Sequence, residues 1–287
     1  MAAEGSAVAI DDPEAMNDPT RSSVRVRSPD GTELVMTRRG HGPGVLLVHG
    51  TSVDGPRWHA VGDRLQDRFT LFCLDRRGRA GRREPPDAYT AEREFEDVAA
   101  AADAVGGPVQ VVGHSYGALC AREAARRTRS IVGLVLYEPP IDDQARPAPP
   151  IAETIDGHLG RGDCEAAVLT FFREHVRMPE AALAALRDSP VWPARLAAAP
   201  TIPRELRAGA QYVFRRSTFD GLDVPVTLLL GSNTNPVLQR ATELVRSALG
   251  QARIVTLAGQ GHIAMDTALD LFVTTLGQAL EAQSAPE

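Results

Sequence analysis

The sequence predicts an α/β fold: a mostly parallel, eight-stranded sheet flanked by helices, with a helical cap inserted late in the chain. Three observations predict it. Short apolar runs recur at Val45–Val48, Phe69–Leu74, Val109–Gly113, Ile131–Leu136, Val226–Leu230 and Ala252–Leu257, as strands buried on both faces require. Between most of them lie stretches rich in Ala, Arg and Glu with apolar residues at helical steps. Strands and helices in alternation build parallel sheets through right-handed crossovers. One interval, residues 141–223, is far too long for a single crossover.

In chain order, Met1–Arg21 carries five acidic residues and no apolar run. Residues 1–22 are therefore expected to be a disordered leader, since a secretory signal has a basic start and an apolar middle. Val24–Arg27 and Leu34–Thr37 flank Pro29-Asp30-Gly31-Thr32, and Pro-Asp-Gly between two β-compatible runs is hairpin chemistry. The strand at Val45–Val48 ends on His49-Gly50. Ala91–Val105 places Phe95, Val98, Ala102 and Val105 along one helical face. Val109-Gln110-Val111-Val112 leads through Gly113-His114-Ser115-Tyr116-Gly117 into the helix-forming run Ala118–Thr128. Arg146-Pro147-Ala148-Pro149-Pro150 cannot be a central strand; beyond it Cys164–Val176, Glu180–Arg187 and Pro203–Tyr212 read as short helices. The core is expected at residues 23–140 and 224–280. The cap, residues 141–223, is expected over the C-terminal strand ends, where open α/β sheets bind ligands.

A chain of 287 residues, 43% hydrophobic and 24% charged, can bury a sizeable core without disulfide or metal staples. All 31 basic residues are Arg. The absence of Lys excludes a Walker phosphate loop, a pyridoxal Schiff base and a Lys general base. A net charge of -6 argues against nucleic acid as a partner. The Arg-rich run Asp75–Arg83, with Glu84 and Asp87 after it, is expected to be a solvated loop with local ion pairs, or else to steer an anionic substrate. Cys73, Cys120 and Cys164 are odd in number and unpaired in spacing, as idle thiols of a reducing cytosol would be. No stretch approaches the ~20 apolar residues that cross a bilayer, so the expectation is a cytoplasmic protein with no membrane partner and a small-molecule substrate.

Gly113-His114-Ser115-Tyr116-Gly117 is a Gly-x-Ser-x-Gly match lying between a strand and a helix, the context a nucleophile elbow demands. Glycines two residues to either side leave room for so sharp a turn. A serine hydroxyl needs a base to take its proton. His262 is best placed, because Gly259-Gln260-Gly261-His262 follows the last strand. His41, His59, His158 and His175 read as solvated or structural, and His49 as packing. The backbone N–H groups of Thr51 and Tyr116 are the expected oxyanion hole. Trp58, Tyr116, Phe171, Phe172, Trp192 and Tyr212 are candidates for an apolar pocket, with Trp58, Trp192 and Asn233 taken as substrate-binding. Gly40-His41-Gly42-Pro43-Gly44 precedes a strand instead of opening a helix, and no His-Glu-x-x-His or paired Cys/His spacing occurs, so neither cofactor nor metal is expected.

From Ser23 to Gln278 the chain resembles the α/β-hydrolase family. The resemblance rests on His49-Gly50, Asp75-Arg76-Arg77-Gly78, the Ser115 elbow, Leu136-Tyr137-Glu138-Pro139-Pro140, the helical insertion and Gly261-His262. It implies a hydrolase acting on a small, largely apolar ester, lactone or thioester, in a family that also holds epoxide hydrolases, dehalogenases, peroxidases, dioxygenases and lyases. One position departs from the pattern. The family's usual acid follows the penultimate strand, where this chain has Asn233. Three readings follow: the acid has moved to Glu138, as in one group of haloalkane dehalogenases; Ser115 and His262 serve a cofactor-free lyase, cyclase or isomerase; or the site is a weak, ligand-binding relic. Asp266 is expected to cap the last helix.

Overall fold

The computed structural model describes residues 9–10, 21–80, 82, 89–144 and 147–284. Its centre is a sheet of β1 (Ala9–Ile10), β2 (Arg21–Arg27), β3 (Glu33–Gly40), β4 (Gly44–Val48), β5 (Thr70–Asp75), β6 (Val109–His114), β7 (Ile131–Tyr137), β8 (Val226–Gly231) and β9 (Arg253–Leu257). In space the order is β1-β2-β3-β5-β4-β6-β7-β8-β9. β2 and β3 pair antiparallel, and β4 to β9 run parallel. All eight expected strands occur; β1 is an addition at the edge, paired with β2. β2 starts at Arg21, so the expected leader boundary at residue 22 falls inside a strand. The rest of that acidic leader, the stretch Arg83–Asp87 and Arg146 lie outside the described residues.

Successive strand residues point to opposite faces, so each central strand feeds two cores. Leu47, Cys73, Val112, Val135 and Leu229 face α1 (His59–Leu65) and α11 (Leu269–Ser284). Leu46, Phe72, Val111, Leu134 and Leu228 face α2 (Ala91–Ala104), α3 (Tyr116–Ala124) and α9 (Pro236–Ala248). Each such side chain, fully buried, stabilises the fold by about 1.5–3 kcal/mol.

Between β7 and β8 lie α4 (Ile151–Gly160), α5 (Cys164–Thr170), α6 (Glu180–Arg187), α7 (Trp192–Ala198) and α8 (Ile202–Gln211). α5 runs on into a wide turn at Phe171–His175. The sequence reading lacks α4 and α7. Both begin beside proline, which reads as a breaker in sequence yet is suited to a first helical turn, where its missing N–H costs nothing. Their apolar residues Ala152, Ile155 and Trp192 join the core that contains Phe171 and Phe172.

The Arg-rich turn after β5 is not the solvated loop expected. Arg76, Arg77 and Arg79 are buried. Arg76 grips Glu94 with Nε at 3.0 Å and Nη2 at 2.7 Å, while Nη1 donates to the Gly50 carbonyl at 3.2 Å. Arg77 grips Asp97 at 2.6 and 2.7 Å and reaches Asp30 at 2.9 Å. Arg79 donates to the Val53 carbonyl at 2.8 Å and to Glu205 of α8 at 2.5 Å. A bidentate guanidinium–carboxylate pair offsets the cost of taking both charges out of water. Sequence proximity showed only local Glu84 and Asp87; the acids that pair come from α2, α8 and the hairpin.

Candidate active site

β6 ends in the turn that carries Ser115, whose backbone has φ 54° and ψ -124°. A non-glycine residue there is strained and must be held by its surroundings. A side chain at Gly113 would come within 2.5 Å of the Ala118 backbone, and one at Gly117 within 2.4 Å of the Val48 and His49 carbonyls. The turn is thus clamped between β4 and α3. Ser115 N–H donates to the Tyr137 carbonyl at 2.9 Å, tying the elbow to the end of β7. The Ser115 side chain is partly exposed and sits at the start of α3.

The next residue after β7 is Glu138, also left-handed at φ 48°. Its carboxylate is fully buried and wholly engaged. Oε1 accepts from Gly231 N–H at 2.8 Å; Oε2 accepts from the Thr234 hydroxyl at 2.8 Å and from His262 Nδ1–H at 2.6 Å. The structure therefore brings Glu138 and His262 together and leaves the imidazole Nε2 free of that contact.

The loop bearing His262 is held from both neighbouring strand ends. The Tyr137 hydroxyl donates to the Gly261 carbonyl and accepts from Ala264 N–H at 3.2 Å. His114, the residue before Ser115, donates through Nε2 to the carbonyl of His262 at 2.8 Å, and the two rings lie 4.7 Å apart. Burial holds His114 well below the usual histidine range, and the charges of His262, Arg57 and Arg195 push the same way. His114 and Thr234 were missed in sequence. His114 gave a signal, being the strand residue adjoining the nucleophile; Thr234 gave none.

Asn233 does not face the imidazole. It is exposed, its side-chain amide donating to the Gly259 carbonyl at 3.1 Å. Trp58 is buried to 0% exposure and stacked on Phe272, 6.3 Å between ring centres. Trp192 is buried on α7. The six aromatic residues expected to line one pocket divide between two cores: Trp58, Phe171, Phe172 and Trp192 on one face of the sheet, Tyr116 and Tyr212 on the other. Thr51 lies in the turn after β4, where Gly50 packs so closely that a side chain there would come within 3.0 Å of the Ser115 Cβ. Tyr116 opens α3, with Arg76 stacked 4.8 Å over its ring. His49 is buried, donating to the Gly50 carbonyl at 2.8 Å and accepting from Arg76 N–H at 3.2 Å. A cleft lined by Tyr89, Arg126, Arg127, Arg204 and Arg207 opens elsewhere; of the residues expected at the site or its pocket, Tyr212 lines it.

Asp266 does not cap the last helix. It lies within α10 (Ala264–Thr267), just beyond His262, and accepts from Arg57 Nη1 at 2.6 Å. Arg195 of α7 approaches its other oxygen at 3.5 Å. Cys73 and Cys120 are buried, and burial pushes the Cys73 thiol up to about 12, so neither is an available nucleophile. Among the described residues no group of His, Cys, Asp and Glu is arranged to hold a metal, and no helix is long and apolar enough to cross a membrane.

Residues 45–275 match the model of the alpha/beta hydrolase family. An alpha/beta hydrolase structure from Sphaerobacter thermophilus is 33% identical, with a TM-score of 0.74 over 88% of this chain and 99% of that one. An N-formylmaleamate deformylase of Pseudomonas putida is 35% identical over 114 residues, 39% of this chain and 42% of the relative. A 2-(acetamidomethylene)succinate hydrolase of Mesorhizobium japonicum is 30% identical over 116 residues, again 39% and 42%. The chain thus spans less than half the length of these two relatives.

Proposed function

The chain belongs to the alpha/beta hydrolase family, and from that premise we propose that it is a serine-dependent acyl hydrolase in which Glu138, not residue 233, is the acid of the catalytic triad. The observation that carries this reading is the 2.6 Å contact between Glu138 Oε2 and His262 Nδ1 beside the Ser115 elbow. Relatives named deformylase and hydrolase support hydrolytic chemistry.

In the proposed reaction the Ser115 hydroxyl attacks the carbonyl carbon while His262 Nε2 takes its proton. The buried Glu138 carboxylate fixes the imidazole tautomer and stabilises the imidazolium. The tetrahedral oxyanion rests on the N–H groups of Thr51 and Tyr116, and no hydrogen bond among the described residues takes up either donor. Collapse expels the leaving group, which receives the proton from His262. A water, deprotonated by the same imidazole, then frees the acid from Ser115. Residues 141–223 act as a lid over this centre, and the substrate is a small acyl compound with a largely apolar body. No cofactor enters the cycle.

Labelling by a fluorophosphonate tests the proposal. Wild-type protein is expected to be modified on Ser115, and Glu138→Gln to slow both labelling and ester turnover by about 10³–10⁴-fold. Asn233→Asp is expected to change turnover less than about threefold, because that side chain faces the Gly259 carbonyl. No adduct on Ser115, or a Glu138→Gln variant as active as wild type, would overturn the assignment. Substantial turnover by Ser115→Ala would point instead to lyase or isomerase chemistry.

A further inference from the structure

Arg57 and Arg195 are buried at 6% and 2% exposure, yet they are not supplied with acceptors. Arg57 spends only Nη1 on Asp266; its Nε and Nη2 are buried with no hydrogen-bond partner. The Arg195 side chain makes no hydrogen bond among the described residues, its Nε is likewise buried and unmet, and its ion pair with Asp266 stands at 3.5 Å. Both guanidinium groups thus approach the same Asp266 carboxylate. Asp54 acts electrostatically on Arg195 as well. Burial and the neighbouring Arg57 charge both disfavour the charged form of Arg195, although a guanidinium does not give up its proton in a protein.

The location is as informative as the deficit. Arg57 ends the loop that begins at Gly50-Thr51, Arg195 projects from α7 of the helical insertion, and Asp266 follows His262 by four residues. The loop after β4, the helical insertion and the segment following His262 therefore meet at this cluster. Both arginines also act electrostatically on His114, the neighbour of Ser115. Phe172 stacks on Arg195 at 4.8 Å and leaves its edge donors unused. Buried donors left unmet are costly, and three of them gather in this one cluster.

We propose that Arg57 and Arg195 bind a carboxylate of the substrate, so that the acyl compound cleaved at Ser115 carries an anionic group. This rests on the hydrolase reading above and names the substrate class it left open. A planar carboxylate matches the fork of an arginine. Its two oxygens can accept from the nitrogens that Asp266 leaves unmet. The rest of the substrate remains apolar.

The test compares kcat/KM for the p-nitrophenyl half-ester of succinate with that for p-nitrophenyl butyrate, in wild type, Arg195→Gln and the exposed control Arg187→Gln. Wild type and control are expected to favour the half-ester by at least about tenfold, and Arg195→Gln to lose most of that ratio. Calorimetric titration with succinate gives a reading independent of turnover: binding is expected in wild type and weakened at least about tenfold in Arg195→Gln. Arg195 is the primary variant because Arg57 is the more tightly built in; Arg57→Gln, where it folds, is expected to behave alike. A wild-type ratio near one, or a ratio and succinate affinity unmoved by Arg195→Gln, overturns the carboxylate site. Succinate binding that depends on Arg195 without labelling of Ser115 would instead remove the hydrolase reading and leave this site standing.

Discussion

The loop from Gly50 to Trp58 is held at its two ends by clusters of buried arginine that differ in one respect. At the first, Arg76, Arg77 and Arg79 face Asp30, Glu94, Asp97 and Glu205, and every guanidinium nitrogen has an acceptor. At the second, Arg57 and Arg195 face Asp266, and three of their nitrogens are buried without one. The saturated cluster fixes backbone: it pins the carbonyls of Gly50 and Val53 and lies over the Tyr116 ring, bracing both segments assigned to the oxyanion hole. The unsaturated cluster fixes little and keeps donors in reserve. The second cluster, unlike the first, has donors left for the carboxylate proposed above.

Three measurements sharpen or break that contrast. The largest effect is expected from Glu205→Ala, which strands Arg76 and Arg79: a loss of about 3–5 kcal/mol in urea unfolding. A loss below about 1 kcal/mol would mean that the first cluster is not saturated as described. Arg195→Met is expected to act in the opposite direction, gaining about 1–2 kcal/mol in the same assay, since it removes a charge that the folded protein leaves undercompensated. Destabilisation of that size would equate the two clusters.

The smallest effect concerns Asp30. Burial pushes its carboxyl up, but the Thr32 N–H and Arg77 outweigh this and hold it at about 2. Because the folded value lies below the unfolded one, the contribution is present above about pH 4 and is lost as pH falls towards 2. Asp30→Asn is expected to cost about 1 kcal/mol near neutral pH, after allowance for solvent screening. The gap between variant and wild type should close on acidification through that window, and a gap independent of pH would exclude the ion pair as its cause.

Legibility in the sequence followed the range of the interaction concerned. The strands and the elbow were readable because apolar runs, glycine spacing and strand-to-helix order are local. His262 was readable because two glycines and a preceding strand mark its loop. Glu138 stood among alternatives until the register of β7 beside β8 put it next to Gly231 and Thr234. The Arg-rich turn was misjudged because its partners Glu94, Asp97 and Glu205 come from α2 and α8, and a count of nearby charges does not see them. Asp266 looked like a helix cap for the same reason, with Arg57 arriving from 209 residues away.

By itself, the sequence determined the alternation of strands and helices, the strained serine turn and the histidine loop, since each depends on sterics and periodicity within a dozen residues. Only the tertiary structure decided which carboxylate meets the imidazole and which arginines are satisfied. Electrostatic partnership is set by distances of a few ångströms between segments that the chain order keeps far apart.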